Sequence, residues 1–280
     1  MNAISLSADI RRNVAQALAE DVGSGDVTAG LIPAGARGHA RIVSRQDAVL
    51  CGSQWVAEVF AQLSDDVQID WRVQESGLLA RGTVICELDG PARSLLTGER
   101  TALNFLQTLS AVATVTRRYV DAVSGTRAAI LDTRKTLPGL RTALKYAVRA
   151  GGGSNHRMGL YDGVLIKENH IAAAGGIAPV LAQARAVAGQ VPIEIEVETL
   201  EQLEEAIAHG ARLILLDNFD LAGLSECVRR CAGRAELEAS GGITLDNVRA
   251  VAQTGVDRIS IGSLTKDIRA IDFSMRFDWS

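Results

Sequence analysis

Basic side chains are concentrated in one stretch of a chain that is acidic overall. The whole sequence has a formal net charge of -4, yet the segment from Arg134 to Lys167 has seven Lys and Arg residues and one acid, Asp162. The seven are Arg134, Lys135, Arg141, Lys145, Arg149, Arg157 and Lys167. Three glycines, Gly151 to Gly153, add backbone donors to the same stretch. Because such groups bind carboxylates and phosphates, the segment predicts a pocket for small anions.

Four of these cations, Arg134, Lys135, Arg157 and Lys167, stand at or beside the predicted ends of strands. A guanidinium binds a carboxylate through two parallel hydrogen bonds, whereas an ammonium is a compact charge that suits phosphate or carboxylate. Each cation alone is equally well explained as a surface ion-pair partner. Together, with few acids nearby, they predict a clamp for a polyanion, to which His156 is a candidate additional donor.

Two acids supply the opposite charge at the next predicted strand ends. Glu196 and Asp217 could accept hydrogen bonds from sugar hydroxyls, hold magnesium with its water shell, or stabilise positive charge at a sugar carbon. We interpret Glu194 and Glu198 as the solvent face of their strand and Glu196 as pointing inward, where its charge needs a partner. Acids and cations together predict a phosphorylated sugar whose anomeric carbon becomes positive.

Glycine-containing turns follow the last two predicted strands. Ser240-Gly241-Gly242 and Ile261-Gly262-Ser263 each precede a predicted helix start. Backbone amides at such places bind phosphate, and barrel enzymes often use their last two loops for this purpose. The alternative is a tight turn that needs glycine for its backbone conformation only.

These polar residues recur at the ends of short apolar segments that alternate with amphipathic helices. The predicted strands are 128–132, 163–167, 193–197, 212–217, 235–240 and 257–262. The predicted helices between them include 200–209, 221–231 and 245–254. This alternation predicts parallel strands, in a barrel or in an open sheet. We favour a barrel, because it brings the polar strand ends to one mouth and because no G-x-G-x-x-G turn follows the first strand.

The first hundred or so residues have a different pattern. A helix is predicted at 11–20, ended by a Gly-rich turn, and short strands are predicted at 40–44, 67–73 and 83–88. These elements predict a small α/β domain in front of the barrel. A long helix from Thr97, its predicted cap, to about Val123 would connect the two.

Composition limits the classes of function. The 280 residues are 47% hydrophobic and 22% charged, which is typical of a soluble globular protein. Clustered basic residues argue against nucleic-acid binding. No secretory signal pattern and no apolar run near the roughly 20 residues of a membrane span is present, so we expect a cytoplasmic protein that does not enter membranes. The four cysteines suit reduced thiols, and no further His or Cys cluster completes a metal pair at Cys227 and Cys231.

Four runs of the sequence resemble one known family. They are GERTALNF at 98–105, DTRKTLPGLR at 132–141, GGGSNHRMG at 151–159 and LIKENH at 165–170. These runs resemble the quinolinate phosphoribosyltransferases, also called nicotinate-nucleotide pyrophosphorylases (carboxylating). The similarity extends from about Glu20 to the tail at Phe277, and the DTRKT and NHR motifs are highly specific.

The resemblance implies a type II phosphoribosyltransferase. Such an enzyme converts quinolinate and phosphoribosyl pyrophosphate to nicotinate mononucleotide, pyrophosphate and carbon dioxide, a step of de novo NAD synthesis. The implied fold is an incomplete, seven-stranded α/β barrel preceded by a small open α/β sandwich, one strand more than the pattern predicts. The implied domains are 1–113 and 114–267, with the tail 268–280 returning to the first. Mg²⁺ would arrive with the sugar diphosphate, without any covalent cofactor. The enzyme would be a homodimer, with higher assembly left open.

The resemblance also implies a role for each candidate residue. Quinolinate would be held by Thr133, Arg134, His156, Arg157 and Lys167, with Arg100 contributed by the other subunit of the dimer. Phosphate and ribose would contact Lys135, Glu196, Asp217, Ser240, Gly241, Gly242, Ile261, Gly262 and Ser263. Catalysis would fall to Lys135, Lys167, Glu196 and Asp217, and the two acids would meet the metal directly or through water or substrate. Arg141, Lys145 and Arg149, on the intervening helix, would line the entrance or support the clamp.

Three alternatives remain at this point. A relative of the same fold could use nicotinate or belong to the molybdenum-transport-associated homologues, and a non-catalytic protein could bind phosphorylated metabolites. Nicotinate has a single carboxylate and needs fewer cations than this chain provides. Glu196 and Asp217 argue against a protein that only binds anions, because acids weaken anion binding.

Overall fold

The structure is a computed structural model that describes the backbone of residues 3–278 and the side chains of residues 6–278. Residues 279 and 280, the end of the predicted tail, lie outside the described residues, as do residues 1 and 2. The strands are β1 (Arg37–Ser44), β2 (Ala48–Val49), β3 (Gln68–Trp71), β4 (Leu78–Leu79), β5 (Val84–Pro91), β6 (Ala129–Leu131), β7 (Val164–Ile166), β8 (Ile193–Val197), β9 (Leu213–Asp217), β10 (Glu236–Ser240), β11 (Arg258–Ser260) and β12 (Phe273–Asp278). The α-helices are α1 (Ala3–Val22), α2 (Ser53–Leu63), α3 (Ala92–Ala122), α4 (Arg141–Ala150), α5 (Glu168–Ala174), α6 (Ile177–Val187), α7 (Leu200–Ala208), α8 (Leu221–Cys231) and α9 (Val248–Gln253).

The described chain forms two compact units, each assembled from separate stretches of sequence. The first contains residues 3–117, 137–152 and 265–278, and the second contains residues 118–136 and 153–264. The first unit holds an antiparallel sheet with the strand order β12-β1-β5-β3. In this sheet the last strand of the chain pairs with β1, with Met275 opposite Ile42. The partition at 113 and 114 stays a prediction.

The long helix of the first unit begins earlier than its sequence suggested. We predicted a start at Thr97, but α3 begins at Ala92, directly after Pro91. Proline suits this position because the first helical turn leaves N–H groups without intrahelical partners. Thr97 therefore lies inside the helix and is not its cap. Its hydroxyl instead donates to a carboxylate oxygen of Asp26 at 2.7 Å.

The second unit is built on six parallel strands in the order β6-β11-β10-β9-β8-β7. The first of these strands along the chain pairs with the last, and the others follow in sequence. A closed ring would need one further pairing, between β6 and β7. The sheet is therefore an α/β barrel that is open between these two strands. All six strands were predicted from the sequence pattern, and β8 has the predicted limits.

The seven strands implied by the family resemblance are not all present among the described residues. At the free edge of β6 the structure has one isolated parallel bridge, between Leu131 and Ser154, in place of a seventh strand. Ser154 follows three glycines, and glycine weakens extended pairing because it has no side chain to pack.

The two faces of the barrel sheet differ in polarity. Residues that pair across neighbouring strands lie on the same face of the sheet. The paired residues on the inner face include Glu196, Leu215, Glu238 and Arg258. The outer face is apolar and buried, with Ile166, Ile195, Val197, Ile214, Leu216, Leu237, Ala239 and Ile259. Burial of these side chains on the outer face leaves the inner face for polar groups. No helix among the described residues is both long and apolar enough to span a membrane.

Candidate active site

A buried carboxylate at the end of β6 fixes the loop that carries the NHR motif. Asp132 is fully buried, and its Oδ1 accepts a hydrogen bond from the backbone N–H of His156 at 2.9 Å. Its Oδ2 accepts from the side-chain amide of Asn155 at 2.5 Å. The chain carrying Arg157 is thus tied to the first barrel strand. We did not predict site roles for Asp132 or Asn155, although the resemblance motifs contain both.

The charge of Arg134 acts on Arg157, the second predicted carboxylate-binding arginine. Burial, and then the positive charge of Arg134, lowers the pKa of Arg157. Arg157 also donates from Nη1 to the carbonyl oxygen of Gly163 at 2.9 Å, which restrains its guanidinium. Glu194 and Asp162 act in the opposite direction and raise the pKa of Arg157, so charges of both signs surround this guanidinium.

Lys167 and Glu196, both predicted site residues, form an ion pair. The Lys167 Nζ donates to Oε2 of Glu196 at 2.7 Å, and the Lys167 side chain is 45% exposed whereas that of Glu196 is 9% exposed. The buried acid therefore has the partner that its inward position requires. His170, the last residue of the LIKENH run, is a helix-capping residue, because its Nδ1 accepts from the Lys167 backbone N–H at 2.9 Å.

Lys135 extends to the predicted phosphate loop after β11. A Cβ atom on Gly262 would stand 3.2 Å from Cδ of Lys135 and 3.7 Å from the hydroxyl oxygen of Thr133. The same hydroxyl oxygen accepts from the Lys135 backbone N–H at 3.0 Å. Glycine at 262 thus permits a close approach of the lysine to the backbone of the 261–263 loop. An ammonium beside loop amides is a suitable environment for phosphate.

Asp217 and the loop after β10 are joined by a residue that we did not predict. Asn218 donates from its side chain to Oδ2 of Asp217 at 2.8 Å, and its backbone N–H donates to the Ser240 carbonyl oxygen at 3.1 Å. A Cβ on Gly241 would overlap Oδ1 of Asn218, and Gly241 has a φ of 95°. Both facts require glycine there. The signal in the sequence was the position of Asn218 directly after a strand-end acid.

The interpretation of Glu194 as a solvent-facing residue is wrong. Its side chain is buried, and its Oε2 lies 2.8 Å from Nε2 of His156. Side chains alternate along a strand, so Glu194 and Glu196 share the inner face, and we had placed them on opposite faces. Glu198, one residue past the end of β8, is exposed as predicted. Glu238 on β10 completes a cluster with His156 and Glu194.

The remaining basic candidates belong to the first unit. Arg100 on α3 is exposed, and its guanidinium lies 3.8 Å from Glu99. Arg141, Lys145 and Arg149 are on α4, as predicted. Lys145 is fully buried, so the interpretation that it lines an entrance is wrong. Arg149 is exposed.

The donor sets available to a metal differ in their suitability. Glu196 and Asp217 offer hard carboxylate oxygens, which suit Mg²⁺ held mainly by water and substrate phosphates. Glu196 is already paired with Lys167. The two acids therefore suit a Mg²⁺ ion that takes most of its ligands from water and substrate, and they do not form a complete set of protein ligands. Cys227 and Cys231 are free and buried. Burial raises the pKa of Cys227 to about 11, which disfavours the thiolate that a metal pair needs.

Comparison with known proteins agrees with this geometry. The N-terminal domain model of quinolinate phosphoribosyl transferase matches residues 26–110, and the C-terminal domain model matches residues 112–276. A probable nicotinate-nucleotide pyrophosphorylase [carboxylating] of Bacillus subtilis is 46% identical over 257 residues, covering 91% of this chain and 89% of the relative. The nicotinate-nucleotide pyrophosphorylase [carboxylating] of Mycobacterium leprae is 43% identical, covering 95% and 96%.

A solved structure gives the same result in three dimensions. The nicotinate-nucleotide pyrophosphorylase from Francisella tularensis superposes with a TM-score of 0.95 at 44% sequence identity, covering 97% of each chain. Fold, sequence and both domain matches therefore agree. The chain belongs to the quinolinate phosphoribosyl transferase family.

Proposed function

We propose that this chain is a quinolinate phosphoribosyltransferase, an enzyme of the nicotinate-nucleotide pyrophosphorylase (carboxylating) type acting in de novo NAD synthesis. It would join quinolinate to phosphoribosyl pyrophosphate and release pyrophosphate and carbon dioxide, leaving nicotinate mononucleotide. The single observation that carries the proposal is that the predicted substrate residues lie together at the strand ends, with the His156 backbone N–H bound to Asp132 at 2.9 Å and Lys167 paired with Glu196 at 2.7 Å.

The number of cations favours a dicarboxylate over a monocarboxylate. Arg134 and Arg157 would each bind one carboxylate of quinolinate, whereas nicotinate has a single carboxylate to offer. Lys167 adds a third cation that is already balanced by Glu196. Quinolinate bound here by Arg134, Arg157 and Lys167, with Thr133 and His156 beside them, would be held in one orientation for attack.

The sugar diphosphate would occupy the other strand ends. Lys135, close to Gly262, would bind phosphate together with the backbone amides of the 240–242 and 261–263 loops. Glu196 and Asp217 would face the ribose hydroxyls. As pyrophosphate leaves and the ribose carbon becomes positive, these two carboxylates would stabilise the developing charge.

Mg²⁺ is part of this proposal as a companion of the sugar diphosphate. Glu196 and Asp217 would hold it, directly or through water, and it would neutralise the phosphate charges of the leaving group. The remaining chemistry needs no covalent cofactor. The bond from the ribose carbon to the pyrophosphate oxygen breaks, and the pyridine nitrogen forms the new bond to that carbon.

Loss of carbon dioxide then follows from the charge on the ring. The pyridinium nitrogen accepts electron density, so the carbon beside it can keep the electron pair of the broken bond to the carboxylate. A proton from solvent completes that carbon. The cations at Arg134 and Arg157 hold the second carboxylate throughout and exclude other orientations.

We further propose a homodimer with a shared active site, in which Arg100 acts on the neighbouring subunit. What supports this is that Arg100 is exposed and that its ion pair with Glu99, at 3.8 Å, is long. A cytoplasmic location is also part of the proposal. The four cysteines are buried free thiols, which suits a reducing compartment.

Carbon dioxide release tests the reaction. Purified protein incubated with quinolinate, phosphoribosyl pyrophosphate and magnesium should release carbon dioxide and form nicotinate mononucleotide. The Lys167→Ala variant serves as the matched control and should release far less. Product formed from nicotinate, with none from quinolinate, would contradict the substrate assignment.

Mixed dimers test the shared site. Arg100→Ala and Lys167→Ala chains should each be inactive alone, and mixing them should restore one intact site in each mixed dimer. The measurement is activity of mixed dimers verified by two different affinity tags. Absence of recovery in verified mixed dimers would refute sharing while leaving the reaction itself intact.

A further inference from the structure

A histidine and two acids meet in the barrel interior, beneath the cations of the mouth. His156 Nε2 lies 2.8 Å from Oε2 of Glu194 and 3.7 Å from Oε1 of Glu238. Their side chains are 13%, 7% and 1% exposed, respectively. The proposed reaction gives no role to either acid. Two buried carboxylates are costly to maintain, so their presence calls for a physical explanation.

Hydrogen bonding decides the protonation of the His156 ring. The backbone N–H of Arg157 lies 2.7 Å from Nδ1 of His156, and a backbone N–H can only donate. Nδ1 is therefore an acceptor, and the proton of the neutral ring is on Nε2. That proton is donated to Glu194. In this tautomer Nε2 has no lone pair for a metal ion, so the cluster is not a metal site.

Glu238 is the more distant acid, because its Oε1 lies 3.7 Å from Nε2 of His156, beyond hydrogen-bond distance. Neither of its oxygens has a hydrogen-bond partner among residues 6–278. Burial, and then the negative charge of Glu194, raises the pKa of Glu238 to about 7. Glu238 thus holds a proton for much of the time near neutral pH, and Glu194 is the carboxylate that accepts from His156.

We propose that Glu194, backed by Glu238, is a positioning residue that holds His156 as the Nε2–H tautomer, so that its Nδ1 fixes the backbone of Arg157. The inference deepens the proposed function, since Arg157 is the residue assigned to a quinolinate carboxylate. The chain of contacts runs from Glu194 through the imidazole to the Arg157 N–H. Its effect is on the placement of the guanidinium and not on the reacting bonds.

Nitrogen-15 NMR of histidine-labelled protein tests the first part of this chain. At neutral pH the wild-type His156 ring should show a protonated Nε2 and an unprotonated Nδ1, assigned by comparison with His156→Gln. Glu194→Leu, which removes the acceptor, should give a mixture of tautomers, and Glu194→Gln, which keeps an acceptor oxygen, should restore the wild-type spectrum. These spectra need no substrate, so they hold or fail independently of the proposed reaction.

Kinetics test the second part. Glu194→Leu should raise KM for quinolinate about tenfold, as expected for one lost hydrogen bond to a charged group, with KM for phosphoribosyl pyrophosphate unchanged. Glu236→Leu is the matched control, because Glu236 lies on the same face of β10 as Glu238 but pairs with Arg258 at 2.5 Å. It should leave both constants and the ring spectrum unchanged.

Several results would overturn the proposal. A wild-type ring protonated on Nδ1 would do so, even if Glu194→Leu failed to fold. An unchanged ring spectrum in folded Glu194→Leu would show that Glu194 does not hold the tautomer. A changed spectrum with an unchanged quinolinate KM would break the link to Arg157.

Discussion

The mouth of the barrel and the layer beneath it differ in how exposed their charged side chains are. At the mouth, Arg134, Arg157 and Lys167 supply positive charge, and Lys167 is nearly half exposed. Beneath it, Glu194 and Glu238 are buried acids on the inner face of β8 and β10. The difference teaches that exposure decides what a charge can do. A partly exposed cation can meet a ligand, whereas a buried acid must bind a proton or a neighbouring side chain.

Removing one mouth cation should have the largest effect. Arg157→Ala should cost about 2–5 kcal/mol of quinolinate binding, because the substrate carboxylate loses a charged, hydrogen-bonded partner. Calorimetric titration with quinolinate measures this. Arg229→Ala is the control and should bind normally, because this arginine is exposed on α8 and pairs with Glu226. Unchanged affinity in Arg157→Ala would remove this residue from the clamp and weaken the contrast between the layers.

Replacing Glu238, a buried acid beneath the mouth, should change how the free energy of unfolding depends on pH. The folded protein raises the pKa of Glu238 from 4.5 to about 7, so it binds a proton that the unfolded chain has already released. The stabilising contribution is therefore fully present below pH 4.5 and is lost as pH rises through 7, by about 3 kcal/mol in total. Glu238→Gln should remove this loss.

Denaturant unfolding of both proteins between pH 4.5 and 8 provides the measurement. The free energy of unfolding of the wild type should fall relative to that of Glu238→Gln as pH rises. If the two proteins showed the same dependence of unfolding free energy on pH, the pKa of Glu238 would not be raised by folding. Glu204→Gln is the control, since that acid is exposed and paired with Arg230, away from Glu238.

Replacing a glycine of the loop after β10 should have a smaller effect on stability. Gly241→Ala should lower stability by about 1–3 kcal/mol, because an alanine at φ 95° is strained and its Cβ displaces Asn218. It should also raise KM for phosphoribosyl pyrophosphate, since Asn218 bonds to Asp217. Gly233→Ala is the matched control, with a φ of 74° but open space around its Cβ. Equal effects of the two variants would show that the Asn218 contact contributes nothing.

The contrast between the layers was only half visible in the sequence. The mouth cations were predictable because charged residues directly after apolar strands converge wherever parallel strands form a barrel. Glu194 was misplaced because we assigned alternate strand residues to opposite faces. The alternation of side chains along a strand puts Glu194 on the same face as Glu196. It does not show that Glu194 is buried, because the inner face of a barrel can also contact solvent.

Local signals were likewise uneven between elements. The strands of the barrel and α8 were predicted well, because apolar runs bounded by polar residues are strong local patterns. The start of α3 was missed by five residues, since a threonine was taken as a cap when its hydroxyl bonds to Asp26 across a long sequence separation. The seventh strand implied by the resemblance reduces to one bridge at Ser154.

By itself, the sequence determined the alternation of strands and helices, the family, and the identity of the cations and acids at the strand ends. Those features depend on residue type and short spacing, which the chain carries locally. Only the tertiary structure decided that Lys167 pairs with Glu196, that the Asn218 backbone N–H donates to Ser240, and that His156 hydrogen-bonds to Glu194. These contacts join residues on different strands and loops, and they depend on strand register and burial, which no local pattern specifies.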